Sequence, residues 1–260
     1  MKATVFTSNQ PRHLDLIIEL SKIVETVYYI SEVNTVFPGK VNDFFKKSDV
    51  MQKYFRRVMR SEGKIFGDIK FLPSNVRPLL IKSGDLNMLN KESLFEALES
   101  DLFIIFGSSF IKGWLVDFLI QKKAINIHIG LSPYYRGSSC NFWAMYDRKP
   151  EYVGATIHRL SKGLDSGDMF FHCLPNLRNN ENPFEFTMRS VKIAQSALIE
   201  KIKTNEIFTM KTIRQNPEEE LRYTKNYEFN DEIAKEFLNR DIYFPSTKPK
   251  YPELLNPIFG

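Results

Sequence analysis

Little in this sequence could cross-link it or anchor it. Two cysteines, Cys140 and Cys173, make neither a disulfide framework nor a zinc knuckle, and neither lies in a CxxC pair, so both read as buried or partly buried thiols. The longest apolar runs, around Leu14 to Ile18 and Leu102 to Phe106, are interrupted by charge far short of the roughly 20 residues that a membrane-spanning helix needs. Met1 to Phe6 turns polar at Thr7-Ser8-Asn9, which leaves no room for the apolar core of a signal peptide, and a cytoplasmic location without membrane contact is expected. There is no internal repeat and no low-complexity tract. What is present is the material of a globular chain. Its 260 residues are 43% apolar, 26% charged and 13% aromatic, which excludes disordered, collagenous and coiled-coil readings and fits one main domain with a small appendage.

The net charge of +5 is local: between Lys40 and Lys70 nine Lys or Arg stand against four Asp or Glu. Such a segment attracts anions, a nucleotide diphosphate or an RNA backbone among them. The plainer reading is structural. Phe44, Phe45, Val50, Met51, Tyr54, Phe55, Val58 and Met59 recur at helical spacing, which makes Lys46, Lys47, Lys53, Arg56, Arg57 and Arg60 the solvated face of an amphipathic helix.

The first hundred residues alternate strand-like and helix-like stretches: Ala3 to Thr7, His13 to Ile23, Val27 to Ile30, the basic helix, then Ile69 to Leu72, a connection marked by Pro73 and Pro78, and a helix over Lys91 to Leu98. A strand over Asp101 to Phe106, a helix over Gly113 to Gln121 and a strand over Ala124 to Ile129 follow. This alternation predicts an α/β fold, a Rossmann-like, mostly parallel sheet with helices on both faces. Beyond Pro133, Gly154 to Leu160 and Met169 to Leu174 read as strands joined by the loop Ser161 to Asp168. A long helix then starts with Asn182 as cap, Pro183 at its first position and Glu185 at the third position of a capping box. The expected organisation is a catalytic domain over 1–210 and a short irregular C-terminal extension over 211–260, Pro-rich at Pro245, Pro249, Pro252 and Pro257, packed on or beside the core.

The segment that carries chemistry starts at Asn126-Ile127-His128, near the end of an apolar strand. Residues i and i+2 of a strand share a face, so the Asn126 amide and the His128 imidazole project together. In an open parallel sheet they would emerge at the carboxyl ends of the strands, where ligands bind. An Asn-x-His pair also occurs as two hydrogen-bonded core groups. Further on, Leu164-Asp165-Ser166-Gly167-Asp168 lies in the loop between two strands and could return a carboxylate to His128; Asp before Gly is also a common turn former.

Asn126-Ile127-His128, Leu131-Ser132-Pro133-Tyr134-Tyr135-Arg136-Gly137, Trp143-Ala144, Gly154-Ala155-Thr156-Ile157-His158 and Leu164-Asp165-Ser166-Gly167-Asp168, in that order, resemble the formyltransferase family. A weaker resemblance lies upstream, at Phe106-Gly107-Ser108-Ser109-Phe110-Ile111. The chain departs from the family at Ile129-Gly130, where Pro-Ser is usual, and at Cys140-Asn141-Phe142, where a Pro usually precedes the Trp. The resemblance implies an N-formyltransferase that uses 10-formyltetrahydrofolate as formyl donor. It assigns catalysis to Asn126, His128 and Asp165. Asn126 would steady the oxyanion formed from the formyl carbonyl; His128, with an ordinary pKa of about 6.5, would take a proton or, once protonated, add to oxyanion stabilisation; Asp165 would orient and charge the imidazole. It places the cofactor between Ser109, Phe110 and Ile111 on one side and Lys162, Gly163 and Leu164 on the other, and the acceptor against Pro133, Tyr135, Arg136 and Gly137. Arg136 either faces an anionic part of the acceptor or pins its own loop. His13, His158 and His172 read as structural, and nothing suggests a metal.

The family's branches differ in acceptor. The residues after Ile202 are too few for the C-terminal barrel of the tRNA-acting branch. Thr7-Ser8-Asn9-Gln10-Pro11-Arg12 lacks the glycines with which the ribonucleotide-acting branch cradles phosphate at a helix N-terminus. A cofactor hydrolase usually carries an extra N-terminal regulatory domain. The expectation that remains is a small-molecule acceptor, an amino sugar attached to a nucleotide, with nucleic acid disfavoured and a homodimer implied by family habit. A methionyl-tRNA-directed enzyme, a 10-formyltetrahydrofolate hydrolase and a non-catalytic folate or nucleotide binder are the alternatives.

Overall fold

The computed structural model describes residues 1–35, 48–178, 181–240, 244 and 250–260. Lys40, Phe44, Phe45, Lys46 and Lys47 of the basic segment, with Pro245 and Pro249, lie outside them. β1 (Lys2–Ser8), α1 (Pro11–Ser21), β2 (Thr26–Val33), α2 (Asp49–Phe66) and β3 (Val76–Lys82) form the first half of a doubly wound sheet. α3 (Phe95–Leu98), β4 (Leu102–Ile105), α4 (Gly113–Gln121) and β5 (Ile125–His128) follow. β7 (Ala155–Arg159) and β8 (Met169–Leu174) turn back antiparallel, and β10 (Ile258–Phe259) pairs parallel with β8. The order across the eight-stranded sheet is β10-β8-β7-β5-β4-β1-β2-β3. β6 (Tyr135–Gly137) pairs instead with β9 (Arg222–Thr224) in a separate two-stranded ribbon.

The period of two along the central strands explains why helices cover both faces. Leu102 and Ile104 of β4 join a cluster with Leu16, Ile17 and Leu20 of α1 and with Ala194 and Leu198 of α6 (Pro183–Lys203). Phe103 and Ile105 point the other way, to Leu115 and Leu119 of α4. A third cluster gathers Tyr54 of α2, Phe142 of α5 (Cys140–Tyr146), Phe184 of α6 and, beyond the single-turn α7 (Glu206–Thr209), Phe237 of α8 (Asp231–Asn239). The segment after residue 210 therefore supplies α8 to an aromatic core and β10 to the sheet.

Several local expectations need correction. The strand is Val76–Lys82, running through Pro78, rather than Ile69 to Leu72. It is an edge strand, where a residue without an N–H is tolerated wherever its position faces away from the neighbour. Lys91 to Leu98 splits into a 3-10 turn, Glu92–Leu94, and the single-turn α3. In α6, the Asn182 side chain caps Phe184 N at 2.9 Å, but Glu185 turns to Lys64 of α2 rather than completing a capping box. The described part of the basic helix, α2, is capped by Ser48, and its Lys53, Arg56, Arg57 and Arg60 are exposed.

Candidate active site

β1, β4 and β5 are adjacent and parallel, so their carboxyl ends open on one side of the sheet. A cavity of about 830 Å³ lies there, bounded by the loop after β4, the end of β5, the β7–β8 loop, α2 and the start of α6. Asn126 and His128 leave β5 on the same face, as their spacing predicts. Asp165 comes to them from the β7–β8 loop, at φ +48°, a left-handed turn conformation that Asp tolerates better than most residues. His128 Nδ1 is 3.3 Å from Asp165 Oδ1, and Asn126 Nδ2 donates to the same oxygen at 3.3 Å.

The loop is held in place from several directions. The Arg136 guanidinium donates to Leu164 O and to Glu220, each at 2.8 Å. The Gln215 amide donates to Asp165 O at 2.9 Å and Gly167 O at 2.7 Å. Gly137 N donates to Asp165 Oδ2 at 3.3 Å. Gly137 is required where it stands: its φ is +92°, and a Cβ would come within 2.0 Å of Thr224 O in β9.

Both ring nitrogens of His128 face acceptors, Asp165 at Nδ1 and Tyr135 O at Nε2, 3.0 Å away. Burial alone would disfavour its charge, but the Asp165 carboxylate and the Cys140 sulfur outweigh burial and raise its pKa well above 6.5. For Asp165, burial is likewise overcome, by His128 above all and then by His158 and the Gly137 N–H, and its pKa falls to about 2. Both shifts favour the charged forms, an imidazolium facing a carboxylate.

His158, read as structural from sequence, lines the same cavity and is bonded to Asn126. It stands opposite Asn126 in the β5–β7 register. Its Nδ1 lies 2.7 Å from Arg159 O, which can only accept, so Nδ1 carries the proton and Nε2 accepts from Asn126 Nδ2 at 3.0 Å. Burial, followed by the His128 charge, pushes its pKa down to about 4 and keeps it neutral. Both Asn126 amide hydrogens are thereby directed, one to His158 and one to Asp165. His13 also lines the cavity, packed on Phe106 at 4.8 Å between ring centroids. His172 keeps its structural reading: Leu255 N donates to its Nδ1, and its Nε2 donates to Ser132 O, each at 2.9 Å.

Of the remaining expected residues, Ser109, Phe110, Ile111, Gly163, Leu164 and Gly137 line the cavity. Lys162 does not: it reaches outward to Asp117 of α4 at 2.7 Å. Pro133, Tyr135 and Arg136 are also absent from the described wall. The first two are buried; the Tyr135 hydroxyl donates to Asp147 at 3.0 Å, and Arg136 is committed to Glu220 and Leu164. Of the two roles open to Arg136, pinning its loop is the one observed. Unforeseen wall residues come from α2 (Phe55, Val58), α6 (Thr187, Met188) and the segment after β9 (Asn226, Phe229).

Residues 87–202 match the family model described as formyl transferase. A methionyl-tRNA formyltransferase of Anaeromyxobacter dehalogenans is 27% identical over 142 residues, which is 55% of this chain and 44% of that protein, so the chain spans less than half of that relative's length. A solved 4-N formyltransferase from Francisella tularensis shares the fold with a TM-score of 0.56 and 19% identity, over 87% of this chain and 77% of that one. A sugar 3N-formyl transferase, WlaRD, solved in the presence of dTDP and 5-N-formyl-THF, has a TM-score of 0.50 and 16% identity, over 88% and 71% of the two chains. Among the described residues no helix is long and apolar enough to cross a membrane.

Proposed function

We propose that this chain is an N-formyltransferase that moves a formyl group from 10-formyltetrahydrofolate to the amine of a nucleotide-linked amino sugar. The observation that carries the reading is the convergence of Asn126, His128 and Asp165 on the wall of a cavity that the Phe106–Ile111 and Ser161–Asp165 loops also line. The cavity walls suit a flat donor: Phe110 and Ile111 supply apolar surface, and Gly163 and Leu164 line the cavity as well.

The bound donor supplies an activated formyl carbonyl. Transfer to an amine is proton-neutral overall, since the amine loses one proton and the leaving nitrogen gains one. The residues therefore need chiefly to hold charge. His128, with both N–H groups engaged, acts as a fixed cation next to the carbonyl oxygen as negative charge develops there, rather than as a base. Asn126 has two hydrogens. His158 fixes one, and the other, on the longer 3.3 Å bond to Asp165, is the one that a formyl oxygen would take over.

Glu62 bears on the acceptor. The N-terminus of α1, a natural anion site at the end of β1, is already occupied by the buried Glu62 carboxylate, which accepts from Arg12 N at 3.1 Å and from the Arg12 guanidinium at 2.7 Å. This disfavours a phosphate seated there and supports an acceptor that presents a neutral sugar. The similar fold of the sugar 3N-formyl transferase supports the same choice. A methionyl-tRNA acceptor is the second reading, favoured by the Anaeromyxobacter relative and the exposed cations of α2; it requires steeply salt-dependent RNA binding. The test of the site is substitution: Asn126→Ala, His128→Ala and Asp165→Ala should each keep the native circular dichroism and lower formyl transfer by about a hundredfold or more. Near-native turnover in any of them would sink the mechanism.

A further inference from the structure

Between Phe106 and Gly113 the chain forms neither helix nor strand, and the segment is bounded by Gly107 at φ +68° and Gly113 at φ +62°. One side of this loop faces the cavity through Ser108, Phe110 and Ile111. The other side is held by two side chains from elsewhere in the fold.

Glu32, at the carboxyl end of β2, is 2% exposed. Its Oε2 accepts from Ser109 N at 2.5 Å, and its Oε1 accepts from Gly84 N at 2.8 Å. Gly84 sits at φ +97° in the turn that leaves β3, so one carboxylate ties the ends of two strands to the loop. Asn87, in the following 3-10 turn, makes a second tie. Its Nδ2 donates to Phe110 O at 2.9 Å, and Lys112 N donates to its Oδ1 at 2.7 Å. An acidic residue near the end of the second strand of a doubly wound sheet often binds ribose hydroxyls. Here both carboxylate oxygens are spent on main-chain N–H groups, and the acid serves the neighbouring loop instead.

Burying a carboxylate is costly unless it accepts strong hydrogen bonds. The two backbone donors meet that need, and in return they fix Ser109. We infer that Glu32 and Asn87 are positioning residues that shape the Gly107–Lys112 loop into the donor-side wall of the active site. The inference rests on the proposed reading that the formyl donor lies against Ser109, Phe110 and Ile111. Neither residue touches Asn126, His128 or Asp165, which sit on β5 and the β7–β8 loop. Their loss should therefore weaken donor binding and leave the chemical step nearly intact.

The test is equilibrium binding of 5-formyltetrahydrofolate, a stable isomer of the donor, followed by intrinsic fluorescence for the native protein, Glu32→Gln and Asn87→Ala. It is joined to steady-state kinetics with 10-formyltetrahydrofolate. A glutamine can offer its one carbonyl oxygen to only one of the two N–H groups and sets its own amide hydrogens against the other. Glu32→Gln should raise the dissociation constant and the donor KM by at least about tenfold, with kcat at saturating donor within about threefold of native. Asn87→Ala, a partly exposed site, should give the same split and decides the matter if Glu32→Gln does not fold. Native affinity in the folded variants, or a fall in kcat with KM unchanged, overturns the inference. A native protein that binds no 5-formyltetrahydrofolate at all defeats the donor reading itself, and the loop assignment falls with it.

Discussion

Because both His128 nitrogens face groups that only accept, the imidazolium is the form that the site is built around, and Asp165 is what keeps it charged against burial. Replacing Asp165 by Asn removes the largest influence that raises the pKa and leaves burial to lower it. The basic limb of the turnover profile should then move from above pH 6.5 in the native protein to below it, as read from residual turnover across pH 5 to 9. A limb that stays in place would show that another group carries it. The sign of the stability effect follows from the same two shifts. The raised His128 pKa stabilises the fold fully below pH 6.5, and that share is lost as pH rises through its folded value. The lowered Asp165 pKa contributes above pH 3.8 and is lost as pH falls through about 2. The grouping of Asn126, His128 and Asp165 was legible in the sequence chiefly through the resemblance of their motifs to a known family, since an i, i+2 pair on a strand and a loop Asp are by themselves equally consistent with core and turn roles. His158 was not: its place beside Asn126 depends on the antiparallel β5–β7 register, and no residue near it in sequence states which strand it will pair with.

At the scale of elements, the ribbon of β6 and β9 is what brings the C-terminal segment to the β7–β8 loop. Tyr135 O and Gly137 N, both from β6, contact His128 and Asp165, while β9 presses on Gly137 from the other side. Gly137→Ala places a methyl group 2.0 Å from Thr224 O in a left-handed position, and should cost about 1 to 3 kcal/mol of stability and lower turnover along with it. Thermal unfolding measured beside activity checks this; a native melting temperature with full activity would show that the ribbon is not tied to the site in this way. Neither short strand has a pattern long enough to read from sequence, so the ribbon could not be foreseen; in it the Tyr135 hydroxyl donates to Asp147 and the Arg136 guanidinium to Glu220 and Leu164. The strands and helices of the sheet were legible because each is an apolar run or a strong helical period. The exceptions were β3, where Pro78 reads as a breaker, the two-residue β10 in what reads as an irregular tail, and the weak α3.

Across the whole molecule, the sheet sets out the carboxyl ends of three parallel strands, and α2, α6 and the segment after β9 supply further wall of the same cavity. That wall is aromatic and aliphatic, while Glu62 has already neutralised the anion-binding end of α1. Composition could not reveal this arrangement, since it joins residues more than a hundred positions apart in sequence, as the packing of Tyr54 on Phe237 shows. The central claim, formyl transfer to an amino sugar, is a claim about what turnover requires. Tetrahydrofolate release from 10-formyltetrahydrofolate by the purified chain should be negligible alone and should rise sharply with one member of a panel of nucleotide-linked 3- and 4-amino sugars. Release at the same rate without any amine would contradict the account and identify a hydrolase instead.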